Sequence, residues 1–171
     1  MSNQALLPDH FETQVEVDAP PAEVFEFLDD HRRLSAHMTE PSWMMVGSHM
    51  TIHMDEKQGR ALGSRITLSG RILGLSLEVE EVVTKYDPPC SKAWKTVGSP
   101  RLLVIGPYNM GFVLSPRQGG SLLCAFIDYS PPGEGASRLL GRLFGKVIRP
   151  MVYQRMARDA TMHFNTRRGH S

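Results

Sequence analysis

The stretch ALGSRITLSGRILGLSLEVEEVVTKYDPP (residues 61–89) decides the fold. Apolar and polar side chains alternate through most of it, and a period of two is typical of β-strands that bury one face. The pattern predicts two strands, over residues 62–71 and 72–86, and Asp87-Pro88-Pro89 ends the second. Two such strands in succession indicate an antiparallel sheet.

Further extended segments lie on both sides of this pair. They are predicted over Phe11–Asp18, Trp43–Asp55, Ser91–Val97, Arg101–Leu114 and Leu122–Tyr129. Gly106-Pro107 interrupts the segment that starts at Arg101, which predicts a bulge or bend within one strand. Gly119-Gly120 predicts a hairpin turn before the last strand.

Three helices complete the prediction. Pro20-Pro21 ends the first strand and opens a short helix, because proline suits the first helical turn. A second short helix is predicted over His31–Met38, and a long one over about Ala136–Thr166. The long helix has an apolar stripe along one side, and Pro150 is expected to kink it.

Size and composition indicate one globular domain over residues 1–171. Hydrophobic residues make up 41% of the chain and charged residues 22%, both ordinary for a globular protein. No apolar stretch approaches the roughly 20 residues that span a bilayer, and residues 1–14 do not resemble a secretory signal. The two cysteines, Cys90 and Cys124, are far apart and suggest no disulfide framework. We therefore expect a cytoplasmic protein.

The formal net charge of +1 hides an asymmetry. Residues 1–135 carry 11 Lys and Arg against 17 Asp and Glu, a net charge of −6, whereas residues 136–171 carry 8 against 1, a net charge of +7. A basic helix that lies on an acidic sheet explains this pattern. The alternative is a basic surface that makes transient contact with a membrane. Because the helix also has a wide apolar face, we expect no nucleic-acid partner.

The chain resembles a known family in several places. The residues that carry the resemblance are FETQVEVDAPPAEVFEFLDD (residues 11–30), the stretch at 61–89, AWK (residues 93–95), and IDYSPPGEGASRLLGRLFGKVIRPM (residues 127–151). Together they resemble the polyketide cyclase/dehydrase-like branch of the START/SRPBCC superfamily. The resemblance implies an α+β helix-grip fold: a curved seven-stranded antiparallel sheet around a long C-terminal helix, with two short helices.

The resemblance also implies an internal cavity that binds a lipid, a polyketide or an aromatic compound. Binding of a small hydrophobic or amphipathic molecule is therefore the first functional hypothesis, and a cyclase, aromatase or dehydrase in the same cavity is the alternative. Inward-facing side chains of the strands and the last helix are the predicted lining. They are Ile66, Leu68, Leu77, Val79, Trp94, Tyr108, Met110, Phe112, Ile127, Val147 and Met151.

Polar groups in that lining are the candidates for chemistry. Alternation places Glu81 on the inward face, where a carboxyl group would have a raised pKa and could act as a general base. A bulge that returns Glu81 to water is the favoured interpretation, because unpaired buried carboxylates are rare. Tyr108, Asn109 and Trp94 can each offer a hydrogen bond from an apolar wall. Tyr108 and Glu81 are the two catalytic candidates, whereas Asp128 should be exposed.

No metal site and no cofactor are predicted. His49 and His53 are four residues apart, but on a strand that spacing separates them by about 13 Å. We expect both histidines on the solvent face. His163 is predicted at the rim of the core.

The outward residues Leu122, Cys124 and Phe126 are more apolar than a solvated strand face should be. They predict that a loop or a second copy of the chain covers this face, which would make a homodimer.

Overall fold

A computed structural model describes residues 7–30, 49–72, 75–101, 106–130 and 160–164. Within these ranges the structure contains seven strands and the helix α1. They are β1 (Asp9–Val17), α1 (Pro21–Asp29), β2 (His49–Met54), β3 (Arg65–Ile72), β4 (Leu75–Asp87), β5 (Ser91–Arg101), β6 (Tyr108–Arg117) and β7 (Gly120–Tyr129). Residues 160–164 are also helical.

The strands form one antiparallel sheet in the order β1-β7-β6-β5-β4-β3-β2. Each strand from β2 to β6 therefore pairs with the next in sequence, and β1 pairs with β7 at the edge of the sheet. The pairing of β4 with β5 shifts register twice: between Glu78 and Glu80 the extra residues lie in β5, and between Val83 and Lys85 the extra residue lies in β4. The predicted seven-stranded antiparallel sheet is confirmed.

The β6–β7 hairpin depends on one glycine. Arg117 pairs with Gly120, so the turn holds only two residues, and Gly119 has a φ of 86° that favours glycine. The predicted hairpin is therefore confirmed. Gly106-Pro107 lies directly before β6, and the chain bends at Pro107, so the bend predicted there is confirmed. Residues 102–105, between this bend and β5, lie outside the described residues.

Helix α1 begins at Pro21, as predicted. It buries Val24, Phe25 and Leu28 and packs against β6 and β7. The ring of Phe25 meets Phe112 edge-on at a centroid distance of 5.5 Å. The apolar side of α1 therefore packs on the part of the sheet formed by β6 and β7, on the face that we call the inner face.

The end of the predicted terminal helix joins the same core. Ala160 and Phe164 are buried, and His163 stacks on Phe27 of α1 with ring centroids 4.6 Å apart. His163 is half-buried, which agrees with a position at the rim of the core. The rest of the predicted helix over 136–166, the predicted helix over 31–38 and the start of the strand predicted from Trp43 lie outside the described residues. Most of the basic segment that predicts membrane contact lies there too.

Candidate ligand-binding face

The inner face of the sheet is apolar over most of its area. Of the predicted lining residues, five are buried and three are half-buried on this face; the buried ones are Ile66, Val79, Trp94, Phe112 and Ile127, and the half-buried ones are Leu68, Tyr108 and Met110. The register brings Leu68 opposite Val79, and Met110 between Trp94 and Ile127. The side chain of Leu77 and the whole of Val147 and Met151 lie outside the described residues.

This face has two apolar regions. The larger one surrounds Phe112 and Leu123 and is covered by α1. The smaller one consists of Ile127 and Tyr129, with Tyr108 and Met110 packed against them. The smaller region contains no residue of α1. A ligand beside Tyr108 and Met110 would therefore contact apolar surface that α1 does not cover.

Glu81 is the principal polar group of this face. It is 5% exposed, and the sheet register places it between Ile66 of β3 and Thr96 of β5. The hydroxyl of Tyr108 donates a hydrogen bond to Glu81 Oε1, and the indole of Trp94 forms a second hydrogen bond with the carboxyl group.

Burial raises the pKa of Glu81 to about 7. The hydrogen bonds from Tyr108 and Trp94 and the charge of Lys92 act in the opposite direction, because each of them stabilises the carboxylate. Glu81 can therefore exchange a proton near neutral pH, which is the property that a general acid or base requires.

The interpretation that returns Glu81 to water is wrong. The register shift lies before Glu81, between Glu78 and Glu80, and the inward alternation of Val79, Glu81 and Val83 continues through it. Glu80 points the other way and pairs with Arg65. Glu81 is not an unpaired buried carboxyl group, since the sheet supplies two hydrogen-bond donors to it.

Tyr108 is held at both of its ends. Its backbone N–H donates a hydrogen bond to Thr96 Oγ1 at 3.1 Å, and the Thr96 hydroxyl donates one to the backbone carbonyl of Tyr108 at 3.3 Å. Its side-chain hydroxyl bonds Glu81. The phenol is therefore presented to the inner face in one orientation.

A second polar group of this region was missed in the sequence. Lys92 of β5 is fully buried and forms a salt bridge with Asp29, the last residue of α1. Tyr86 donates a hydrogen bond to Asp29 at 3.0 Å, and Arg60 lies 3.5 Å from the same carboxylate. Desolvation lowers the pKa of Lys92, and the hydrogen bond and charge of Asp29 oppose that shift. The signal was present, because Lys92 is two residues before Trp94 and shares its face.

Asn109 does not belong to the site. Its amide donates to Asp128 at 3.2 Å, and His10 Nδ1 lies 2.7 Å from the same carboxyl group. Strand alternation places these groups on the outer face, opposite Tyr108. Asp128 is half-buried rather than exposed, since these two neighbours cover part of it.

The structure describes one of the two histidines that were predicted on the solvent face. His53 is exposed, as predicted, and the side chain of His49 lies outside the described residues. Among the residues that the structure describes, no three His, Cys, Asp or Glu side chains come together as metal ligands.

A model of the family described as "polyketide cyclase / dehydrase and lipid transport" matches residues 8–161. The chain belongs to this family. It is a branch of the START/SRPBCC superfamily, so the resemblance seen in the sequence is confirmed. A comparison with curated protein sequences finds no match.

Solved structures share the fold of this polyketide cyclase/dehydrase family member at low identity. The Zhui aromatase/cyclase from Streptomyces sp. R1128 is 14% identical, with a TM-score of 0.66 over 93% of this chain and 94% of that chain. The di-domain ARO/CYC StfQ from the steffimycin biosynthetic pathway is 15% identical, with a TM-score of 0.64 over 94% of this chain and 52% of that chain. A Thalictrum flavum norcoclaurine synthase is 12% identical, with a TM-score of 0.60 over 94% and 96%. At these identities the likeness shows the fold alone.

The structure also has a polar cleft beside α1. Its volume is about 250 Å³, and its lining comes from α1, from the β2–β3 loop and from residues 160–164. The lining residues are Glu23, Glu26, Phe27, Asp30, Arg60, His163 and Phe164. None of the inner-face residues around Glu81 lines it, so this cleft is separate from the candidate site. The helices within the described ranges are too short and too polar to span a bilayer.

Proposed function

We propose that this chain binds a small hydrophobic or amphipathic molecule, in the lipid, polyketide or aromatic class, against the inner face of its sheet. The Glu81–Tyr108 pair within an apolar wall is the observation that carries the proposal. Family membership supports it, since the family is described by polyketide cyclisation and lipid transport.

Two physical effects would drive binding. Apolar ligand surface that leaves water contributes about 25 cal/mol per Å². The Glu81–Tyr108 pair can both donate and accept a hydrogen bond near neutral pH, because the pKa of Glu81 is about 7. A ligand that carries a hydroxyl or carbonyl oxygen on an apolar skeleton matches both properties.

The test uses tryptophan fluorescence. The chain has two tryptophans, so a Trp43→Phe variant leaves Trp94, which contacts Glu81, as the only one. A naphthol and the unsubstituted naphthalene are titrated into this variant, and quenching of Trp94 reports binding. Saturable quenching by the naphthol is expected, with a weaker effect from naphthalene.

Tyr108→Phe should weaken naphthol binding about 5–10-fold and leave naphthalene binding unchanged, because a typical hydrogen bond contributes about 1 kcal/mol. Tyr86→Phe is the matched control, since Tyr86 bonds Asp29 and not Glu81. If Tyr108→Phe weakens both probes equally, the polar pair does not orient the ligand. If neither probe quenches Trp94, the proposed binding face is wrong.

Enzymatic cyclisation or dehydration is the second candidate function. A buried carboxyl group with a pKa of about 7 beside a phenol favours it, because such a pair can remove a proton next to a carbonyl group and stabilise the enolate oxygen. Structural similarity to an aromatase/cyclase supports the fold that this chemistry would use.

A poly-β-ketone thioester separates the two functions. Glu81→Gln should abolish its turnover and keep its affinity within a few-fold, since glutamine has nearly the same shape and cannot accept the proton. Equal turnover by the parent protein and Glu81→Gln would exclude Glu81 as the base and leave the binding function alone.

A further inference from the structure

The inner face contains a connected row of polar and aromatic side chains. Lys92 is bound by Asp29 at one end, and its Nζ lies 6.0 Å from the centroid of the Trp94 ring. The indole of Trp94 forms a hydrogen bond with Glu81, whose other partner is Tyr108. The row thus crosses the sheet from α1 to β6.

We propose that Lys92 is a positioning residue for Glu81, and that its buried ammonium acts on the carboxyl group through the indole of Trp94. The inference deepens the proposed function, on which its biological meaning rests, by assigning what controls the proton at that site.

The indole is suited to this role. A cation near the face of an aromatic ring is attracted by the ring quadrupole. Such a cation also draws electron density from the ring, which makes the indole N–H a stronger donor, and linked polar groups polarise one another in a low-dielectric interior. The hydrogen bond to the carboxylate form of Glu81 is strengthened as a result.

Asp29 holds the ammonium in place. It is the last residue of α1, where the helix dipole disfavours a carboxylate, and the last turn of α1 contains no basic residue. Lys92 and Arg60 supply the compensating positive charge from β5 and from the β2–β3 loop. The Asp29–Lys92 salt bridge therefore links the position of α1 on the sheet to the position of the Lys92 ammonium.

Few other charges act on this row among the described residues. Tyr108 and Lys92 are the titratable groups that act on Glu81. Asp29, Arg60 and Glu81 act on Lys92. Tyr86 adds its ring, 5.6 Å from Lys92 Nζ, and its hydrogen bond to Asp29.

The test measures the titration of Glu81 directly in the ligand-free protein. The side-chain ¹³C carboxyl resonance is assigned by its loss in Glu81→Gln and followed from pH 4 to 9. Lys92→Met should move the midpoint of Glu81 upward by a few tenths of a unit, because polarisation by the ammonium strengthens a charge-assisted hydrogen bond of roughly 2 kcal/mol by about 10–30%. Lys95→Met is the control on the opposite face of β5 and should leave the midpoint unchanged.

A double-mutant cycle tests the route through the indole. Trp94→Phe removes the N–H and should itself raise the midpoint. In that background Lys92→Met should have a clearly smaller effect than in the parent. An unchanged midpoint in folded Lys92→Met, or an equal shift in both backgrounds, would overturn the inference.

Lys92→Met leaves Asp29 without its main partner in the interior, and loss of one partner of a buried pair is strongly destabilising. If it does not fold, Asp29→Asn/Lys92→Met replaces it, because the amide can still accept the hydrogen bond of Tyr86 and no unpaired carboxylate remains. The same upward shift is expected, and an unchanged midpoint refutes the inference here too. The naphthol titration fails or succeeds independently of this measurement, so failure of the proposed function is distinguishable from failure of the inference.

Discussion

Replacement of Glu81 by glutamine should change how the stability of the protein depends on pH. The pKa of Glu81 is about 7 in the folded protein and 4.5, the ordinary value, in an unfolded chain. Between these values folding takes up a proton, so the free energy of unfolding falls as the pH rises. The contribution of Glu81 is fully present below pH 4.5 and is lost once the pH passes about 7.

The magnitude follows from the shift itself. One pKa unit corresponds to about 1.4 kcal/mol, so the rise from 4.5 to about 7 corresponds to about 3 kcal/mol. Glutamine has nearly the same size, stays neutral at every pH, and can still accept the hydrogen bond of Tyr108. The unfolding free energy of Glu81→Gln, relative to that of the parent, should therefore increase by about 3 kcal/mol between pH 4.5 and 8.

Urea unfolding at closely spaced pH values measures this difference. Glu78→Gln is the matched control, because Glu78 is an exposed glutamate three residues earlier on the same strand. Its curve should run parallel to that of the parent across this window. Parallel curves for Glu81→Gln and the parent would refute the reasoning, since they would show that Glu81 keeps an ordinary pKa in the folded protein.

Two further predictions concern the sheet and its β2–β3 loop. Gly111→Ala should destabilise the protein by roughly 1–3 kcal/mol in urea unfolding, because the added Cβ would lie 2.5 Å from the carbonyl oxygen of Lys92 on the neighbouring strand; an unchanged midpoint would contradict this close approach. Asp55→Ala should speed amide hydrogen exchange at Arg65 and leave α1 unaffected, because Asp55 accepts hydrogen bonds from Ser64 Oγ at 2.5 Å and from the backbone N–H of Arg65 at 3.0 Å. If the exchange rate at Arg65 is the same in Asp55→Ala and in the parent, Asp55 does not organise the loop.

Local periodicity in the sequence predicts the strands and α1, because side-chain alternation and proline positions act over a few residues. It predicts the inward direction of Glu81 as well. The partner that keeps Glu81 in the interior, Tyr108, is 27 residues away, and no local pattern reveals that hydrogen bond. The rule that carboxylates avoid burial therefore favoured the wrong environment.

Lys92 shows the same limit more strongly. Alternation with Trp94 places it on the inner face, but a buried ammonium needs a counter-charge, and Asp29 lies 63 residues earlier in the chain. Only the position of α1 on the sheet brings the two charges together. Gly106-Pro107 is the opposite case: glycine and proline act locally, so the sequence alone indicates the bend that precedes β6.

The energetics of Glu81 bear on what the site does. At pH 8 the ionised carboxylate lowers the stability of the fold, and glutamine in its place would fill the same space without that cost. The Tyr108 and Trp94 hydrogen bonds reduce the penalty but do not remove it, because the pKa remains raised. A side chain that weakens folding at neutral pH, in a wall of otherwise apolar residues, is better explained by a contribution to ligand binding or proton transfer than by a contribution to the core.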